Sequence, residues 1–214
     1  MNFTFGVCTT YSDTKRLKEI LDSIIALNIP NYEVLFIGDK NKTEAMEQLS
    51  YSPRVKHYMF DESIIPGWIT RKKNILIHEA SYDNIVLFHD YYVFDPKWYE
   101  EYIKFGDDWE ICSNAQLLMD GKRHFTDWVV WDDPILPRYT SVDYSDWSRT
   151  KHMYISGGYF LLKKTVGLQT PLNENMIWGT PEDVEWSLRV RDKYLMKCNG
   201  NSIVKHNKKH RDLK

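Results

Sequence analysis

Apolar runs of strand length alternate with segments of helical period through the first half of this chain. The predicted strands are rich in Val, Ile, Leu and Phe, and they cover residues 3–10, 32–39, 54–60 and 84–94. The predicted helices between them cover residues 14–28, 42–50, 67–81 and 96–106. Strands that are apolar without interruption and that alternate with helices are typical of a parallel sheet covered on both faces. The pattern therefore predicts an α/β fold.

The second half of the chain is less regular. It contains a predicted strand at 109–120, a loop-rich stretch at 124–147 and a strand at 153–164 interrupted by Gly157 and Gly158. A predicted helix covers 181–194, and residues 196–206 are predicted to form a hairpin with Asn-Gly at its turn.

No internal repeat or linker divides the sequence, so we predict a single Rossmann-like domain over 1–214 with a mostly parallel central sheet. We expect the parallel half, 1–105, to bind one ligand and the irregular half, 106–214, to shape a pocket over it.

Composition excludes several classes of function. The net charge of −2 gives no basic footprint for nucleic acid, and no apolar run reaches the ~18–20 residues of a membrane span. The first residues carry no secretory signal pattern. Cys8, Cys112 and Cys198 are odd in number and widely separated, which favours reduced thiols over disulfides. We therefore expect a soluble cytoplasmic protein.

Polar side chains stand where three of the predicted strands end. These strand ends are Thr9-Thr10-Tyr11, Gly38-Asp39 and His89-Asp90-Tyr91-Tyr92. In parallel α/β sheets ligands bind at the carboxyl ends of the strands, beside the point where the strand order switches. We therefore expect these side chains to converge on one ligand. Asp90 fits either a ligand of a hard divalent cation or a carboxylate that pairs with a lysine or caps a loop.

A cluster of acids begins the predicted helix at 181–194. Thr180 is a predicted N-cap and Pro181 suits the first helical position, so Glu182 and Asp183 could simply offset the helix dipole. Alternatively, one carboxylate acts as a general base. Glu182 shares a helix face with Trp186, whereas Asp183 is expected to point elsewhere.

A basic run opens the predicted helix at 67–81. Arg71, Lys72 and Lys73 lie in its first turns, where cations oppose the helix dipole. A phosphate ligand would reverse that unfavourable sign, although a solvated surface run is an equally good interpretation.

Several short motifs occur in one order along almost the whole chain, and together they resemble the GT-A glycosyltransferases of the large inverting families. The motifs are CTTYSDT (8–14), YEVLFIGDK (32–40), PGWITRKKN (66–74), LFHDYYVFDPKWY (87–99), YISGGYFLLKK (154–164), WGTPEDVEWSLRVRD (178–192) and SIVKHNKKHRD (202–212).

The resemblance implies a nucleotide-sugar donor, with a UDP-sugar favoured, and a glycan or glycoconjugate acceptor. It implies that the donor contacts Thr9, Thr10, Tyr11, Asp39, Arg71, Lys73, Asn74, His89, Asp90, Gly157 and Gly158. Asp39 would meet the base, the basic helix would lie near the diphosphate, and the glycine pair would form the sugar pocket.

The resemblance also implies catalytic and acceptor residues. Asp183 would be the general base of an inverting transfer, and Glu182 would orient a sugar hydroxyl. The acceptor would stack on Trp178, Trp186 and either Trp131 or Trp128.

A metal site is implied too, with Asp90 and His206 holding Mn²⁺ or Mg²⁺ against the phosphates. The sequence departs from the family there, because the metal-binding motif reads His89-Asp90-Tyr91-Tyr92 and carries a single carboxylate. The metal site is therefore weak, rebuilt or absent.

Two other functions remain open. The incomplete metal motif favours a catalytically degenerate module that binds a nucleotide sugar or glycan. A sugar-nucleotide pyrophosphorylase is also an α/β enzyme, but CTTYSDT is not a glycine-rich phosphate loop.

Overall fold

The computed structural model describes residues 1–177 and 179–207, which form helices packed on a large sheet. The strands are β1 Phe3–Cys8, β2 Tyr32–Asp39, β3 Val55–Phe60, β4 Asn84–His89, β5 Tyr92–Phe94, β6 Ile111–Leu118, β7 Val129–Val130, β8 Met153–Tyr154, β9 Tyr159–Lys163 and β10 Met196–His206. The helices are α1 Thr14–Ile25, α2 Thr43–Leu49, α3 Ile69–Glu79, α4 Trp98–Phe105, α5 Lys164–Gln169 and α6 Glu182–Val190, with a 3-10 turn at Thr150–His152.

The main sheet has eight strands in the order β3-β2-β1-β4-β9-β6-β10-β5. Strands β3, β2, β1 and β4 are parallel to one another, and β6 is parallel to β10. Strand β9 runs antiparallel between β4 and β6, and β5 is antiparallel to β10. The short strands β7 and β8 pair separately. The mostly parallel α/β fold predicted from the sequence is confirmed.

Two hydrophobic cores lie on the two faces of this sheet because successive strand side chains point to opposite faces. On β2, Val34 and Phe36 belong to the core that also contains buried residues of α1, α2 and α4. Leu35 and Ile37 belong to the core that contains residues of α3, α5 and α6. Both faces are therefore covered by helices, as continuous apolar strands require.

The predicted strand 84–94 is two strands in the structure. Strand β4 stops at His89 and β5 starts at Tyr92, yet β9, β6 and β10 separate them in the sheet. The sheet is curled, so its β5 edge returns beside the end of β4. This curl brings the last residue of β10, His206, against the ring of Tyr91.

The predicted hairpin at 196–206 is wrong. These residues form one strand, β10, which runs parallel to β6 and has a register shift between Asn199 and Ile203. The Asn199 side chain accepts hydrogen bonds from the amides of Asn201 and Ser202, so Asn-Gly forms a bulge rather than a reversing turn.

Two further predictions need correction. The predicted strand 153–164 divides into β8 and β9, which belong to different sheets because Gly157 and Gly158 lie in the connection between them. Its last residue, Lys164, starts helix α5, which the sequence pattern did not indicate.

Cys8, Cys112 and Cys198 are free and buried, as predicted for reduced thiols. Within residues 1–177 and 179–207, none of the helices is both long enough and apolar enough to cross a bilayer.

Candidate functional site

The polar ends of β1 and β4 meet in the structure. The Thr9 hydroxyl donates a hydrogen bond of 2.7 Å to Oδ2 of Asp90, and the amide of Tyr11 donates to Oγ1 of Thr9 at 2.9 Å. Strand β1 stands between β2 and β4, so this contact lies where the strand order switches. The strand ends therefore converge at the position where α/β sheets bind ligands.

A cleft of about 260 Å³ opens beside this contact. Its floor includes Cys8, Thr9 and Asp90, while Arg16 of α1 and Lys72 of α3 form part of its walls. Burial raises the pKa of the Cys8 thiol to about 11, with a smaller opposing effect of the Lys73 and Lys72 charges. The Cys8 thiol is therefore protonated at physiological pH, and it lines the cleft as a neutral side chain rather than as a nucleophile.

A second cleft, of about 470 Å³, adjoins the first. It is lined by His89, Gly157, Gly158 and the segment 179–183. His89 lines both clefts, so a ligand that fills the first can extend towards the acids of α6.

The two acids at the start of α6 face the same glycine. The amide of Gly157 donates a 2.9 Å hydrogen bond to Oδ2 of Asp183, and Oδ1 of Asp183 accepts from the amide of Val184 at 2.9 Å. A Cβ atom built on Gly157 would lie 3.0 Å from Oε1 of Glu182. The expectation that Asp183 points away from Glu182 is therefore wrong, because both side chains line one cleft.

The start of α6 also differs from the prediction. The N-cap is Pro181, no side chain caps the helix, and the hydroxyl of Thr180 donates instead to the carbonyl of Ile177. The first-turn amide of Val184 is bonded by the Asp183 side chain itself. The acids thus partly replace the missing cap.

Lys73 lies completely buried beneath these acids. Its ammonium group donates a 2.8 Å hydrogen bond to the carbonyl of Gly157 and lies 3.7 Å from Oε1 of Glu182. The ring of Phe160 lies 5.5 Å from the same nitrogen. A buried cation needs such partners, so Lys73 fixes the glycine pair relative to α6.

Close packing around residue 157 favours glycine there. A Cβ at this position would lie 3.0 Å from Cβ of Asp183 and 3.2 Å from Nζ of Lys73. A side chain at 157 would require Asp183, Glu182 or Lys73 to shift by a few tenths of an ångström. Gly157 therefore allows the close packing of the acid cluster on this backbone.

The Glu182 carboxyl group has a raised pKa. Burial is the largest cause, the Lys73 ammonium opposes it, and the Asp183 carboxylate adds to it. The protonated form of Glu182 is therefore more favoured in the folded protein than in the unfolded chain.

Replacing Glu182 with Gln should change the pH dependence of stability. Because the pKa of Glu182 is higher in the folded protein than its unfolded value of about 4.5, its contribution to the free energy of unfolding is fully present below pH 4.5. This contribution is lost as the pH rises through the folded pKa. The stability of wild type relative to Glu182→Gln should therefore fall between pH 4.5 and neutrality. Urea unfolding at several pH values measures it, with Glu185→Gln on the same helix as the control. A constant difference across this range would contradict the assignment.

Two tyrosines lie near the acids, the buried Tyr154 and the partly buried Tyr91. Burial, followed by the charges of Asp90, Glu182 and Asp183, raises the pKa of Tyr91. Burial and the Asp183 charge likewise raise the pKa of Tyr154. Both hydroxyls stay protonated at neutral pH, so each can donate a hydrogen bond to an oxygen of a ligand.

Some sequence-predicted donor residues lie elsewhere. Arg71 forms two hydrogen bonds to the carboxylate of Glu174, at 3.0 and 2.9 Å, and Asn74 also donates to Glu174. Both line a different cleft, together with Pro171. Tyr11 is buried and its hydroxyl meets Nδ1 of His57 at 2.9 Å, so its ring packs inward.

The other donor predictions lie at the strand ends. Thr10 and His89 line the first cleft. Asp39 ends β2, and its Oδ1 accepts hydrogen bonds of 3.0 Å from the amide and side chain of Asn41. A Cβ on Gly38, the residue before it, would lie 2.5 Å from the carbonyl oxygen of Thr9. The ends of β1 and β2 are therefore in close contact.

The tryptophans predicted for the acceptor separate into different environments. Trp186 is buried, donates its Nε1 hydrogen to the carbonyl of Thr170 and packs on Phe160. Trp128 is also fully buried. Both belong to the core and present no face to a ligand. Trp178 lies outside the described residues.

Trp131 belongs to a partly open aromatic group next to α6. Its ring meets Tyr154 and Tyr139 edge to face, each at 5.5 Å, and Arg138 lies 4.2 Å above it. Val184, the residue after Asp183, packs in the same cluster. This group forms an aromatic surface beside the acids, as a sugar-binding surface would require.

The predicted metal ligands, Asp90 and His206, do not by themselves fit a metal ion. Oδ2 of Asp90 accepts from Thr9, and Oδ1 lies 4.0 Å from the Arg16 guanidinium. The His206 ring packs against Tyr91 at 4.5 Å and stacks on His124 at 5.1 Å. Across residues 1–177 and 179–207, no group of three or more His, Cys, Asp or Glu side chains could hold a metal ion. We therefore derive no step through a metal.

The sequence analysis missed Arg16 as a cleft residue, and it noted Lys72 within the basic run without including it among the donor contacts. Arg16 stands in the first turn of α1, where a cation opposes the helix dipole. The same signal singled out the basic run at 71–73. Applied to α1, it would have found Arg16.

The fold defines the class of this chain as a single Rossmann-like GT-A domain. Similar solved structures include TarS from S. aureus: fragment 1–349 superposes with a TM-score of 0.64 at 12% identity, over 98% of this chain and 59% of that one. The same fragment with UDP-GlcNAc gives 0.64 at 12% identity, over 98% and 57%. With UDP it gives 0.63 at 14% identity, over 98% and 59%.

This chain thus spans about three-fifths of the TarS fragments, and it spans 36% of the longer TarS chain. At such identities the likeness concerns the fold. No family model matches the sequence, and no curated protein matches it.

Proposed function

We propose that this protein transfers a sugar from a nucleoside diphosphate, a UDP-sugar being favoured, to a hydroxyl group of a glycan or glycoconjugate. The observation that carries the proposal is the junction of two clefts at His89. One holds the Thr9–Asp90 contact at the switch in strand order, and the other holds Glu182 and Asp183. The UDP-GlcNAc and UDP complexes of TarS, which has the same fold, support this donor class.

Asp183 is the proposed general base. Its two oxygens each accept one backbone amide, and a carboxylate has about four acceptor positions, so it retains capacity for an acceptor hydroxyl. Asp183 removes the proton as that oxygen attacks the anomeric carbon. The nucleoside diphosphate leaves from the opposite face, and the anomeric configuration inverts.

The other site residues position the donor. Glu182, held by Lys73 at 3.7 Å, orients a sugar hydroxyl above Gly157 and Gly158. The Tyr91 hydroxyl meets Nδ1 of His89 at 2.9 Å, and both side chains line the first cleft, where they would contact the donor. The cations that line the first cleft, Arg16 and Lys72, offset the charge of the departing diphosphate.

The acceptor would lie on the aromatic surface of Trp131, Tyr139 and Tyr154. Sugar faces rich in C–H groups pack on such rings. This surface adjoins α6 through Val184, so a sugar resting there places a hydroxyl near Asp183. The partly exposed Trp131 is thus the proposed acceptor contact.

A nucleotide-sugar-binding module without catalysis is the second candidate. The observation in its favour is that the strand end at 89–92 provides one carboxylate, Asp90. Such a module would bind the donor and leave it intact, so product analysis separates the two functions.

A panel of UDP-sugars, with GDP-mannose as the nucleotide control, tests the proposal. A cognate donor at about 100 times its Kd should add ~2.7 kcal/mol to stability and raise Tm by about 5–10 °C. Incubation with glycan acceptors should release UDP, and proton NMR of the product should show an inverted anomeric centre. A retained configuration would remove Asp183 from the base role, and no shift with any nucleotide sugar would reject the function.

A further inference from the structure

We propose that Arg16 takes the place of a divalent cation, holding the donor diphosphate beside Asp90 without a metal. The inference rests on the proposed function and names the group that binds its diphosphate. Arg16 lines the same cleft as Thr9, Thr10, Lys72 and Asp90. The site is therefore built around side-chain cations.

The carboxylate of Asp90 is held by protein groups on both of its oxygens. Oδ2 accepts the Thr9 hydroxyl at 2.7 Å, and Thr9 is itself fixed by the amide of Tyr11. The guanidinium of Arg16 lies 4.0 Å from Oδ1. Both side chains are about four-fifths buried, with 19% and 17% exposed. A positive charge thus already lies beside the Asp90 carboxylate.

Arg16 lies next to Asp13, the N-cap residue of its own helix. The carboxylate of Asp13 accepts the backbone amide of Arg16 at 3.0 Å and lies 3.9 Å from its Nε. Arg16 lies in the first turn of α1, where a cation and the helix dipole repel each other. A diphosphate would bind favourably to both the N-terminus of α1 and the Arg16 guanidinium, because each of these groups binds phosphate oxygens.

A second cation lines the same cleft. Lys72 of α3 is nearly fully buried and pairs with Glu62, whose other oxygen accepts the amide of Gly67 at 2.8 Å. Gly67 also lines the cleft. Among the described residues that line the cleft, Arg16 and Lys72 are thus the two cationic side chains that a diphosphate could contact, with Asp90 beside Arg16 and Glu62 beside Lys72.

The alternative is a metal ion bound by Asp90 and His206, which the surroundings of these two side chains disfavour. The His206 ring, at the end of β10, lies 4.5 Å from the ring of Tyr91 and stacks on the ring of His124. In the described ranges, 1–177 and 179–207, no three ligand-type side chains assemble. The family motif's missing carboxylate and the presence of Arg16 therefore have one explanation: an arginine replaces the ion.

Calorimetric titration with UDP tests the inference. Wild type, Arg16→Gln and the control Lys15→Gln, an exposed neighbour on α1, are each titrated in EDTA and in MnCl₂. Wild type should bind with Kd values within about twofold in the two buffers. Arg16→Gln should bind about tenfold to a hundredfold more weakly in both, since a charged hydrogen-bond partner is lost. Lys15→Gln should match wild type.

Arg16→Lys keeps the charge but loses the two-pronged geometry, and should fall between wild type and Arg16→Gln. If the Tm of Arg16→Gln is too low for titration, Arg16→Lys serves as the test variant. A wild-type Kd more than tenfold weaker in EDTA, or wild-type affinity in both Arg16 variants, would overturn the inference alone. No UDP binding in either buffer would overturn the proposed function with it. Metal-free, Arg16-dependent binding without sugar transfer would support the inference and reject only the transferase.

Discussion

Replacing Asp183 with Asn should lower the rate of sugar transfer by about 10³-fold while donor affinity stays within a fewfold of wild type. General bases contribute roughly 10²–10⁴-fold to their reactions, and an amide cannot remove the acceptor proton. The change is nearly isosteric, and the amide oxygen can still accept from Gly157 or Val184. Initial rates of UDP release and titration with UDP measure the two quantities separately.

Glu185→Gln is the matched control, because it makes the same chemical change on the same helix. Glu185 pairs with Arg189 one turn along α6 and does not line the clefts described above. It should retain wild-type rate. Full activity in Asp183→Asn, or an equal loss in Glu185→Gln, would refute the assignment of the base.

Replacing Lys73 with Met should destabilise the protein by about 3 kcal/mol and lower Tm by about 6–12 °C. Methionine fills a similar volume but leaves two buried acceptors without their cation, the carbonyl of Gly157 and the carboxylate of Glu182. Both lie in the cleft that contains Asp183, so donor binding should weaken too. Thermal melts and urea unfolding at pH 7 measure the loss.

The neighbouring basic residue provides the control for Lys73. Arg71 is half exposed and pairs with Glu174, and Arg71→Gln should change stability by about 1 kcal/mol or less, as for surface pairs. The double variant Lys73→Met/Glu182→Gln should recover part of the loss, because it removes the uncompensated carboxylate. A single Lys73→Met variant as stable as wild type would contradict the role assigned to this lysine.

The basic run at 71–73 shows how far local sequence reasoning extends. Its position at a helix N-terminus correctly marked an unusual concentration of charge. The helical period then sends the three side chains in different directions: Arg71 to Glu174, Lys72 to the first cleft and Lys73 beneath Gly157. The partner of Arg71 alone, Glu174, lies 103 residues away along the chain. A local pattern carries no information on which of them faces the ligand.

For the tryptophans, too, the local sequence pattern does not show which side chain faces the ligand. Trp186 and Glu182 share a face of α6 by their spacing, yet the ring packs in the core against Phe160 and the carboxylate lines a cleft. The first turn of α6 borders the second cleft, and Trp186, one turn later, packs in the core.

The sequence by itself determined the parallel sheet and the convergence of polar strand ends at the switch in strand order. These features follow from periodicity and from which residues can end a strand or begin a helix, both of which are local. The tertiary structure alone decided that β5 returns beside β4, that Arg16 faces Asp90, and that Lys73 lies under Glu182. Those contacts depend on how the sheet curls, and curl is a property of all eight strands packed together.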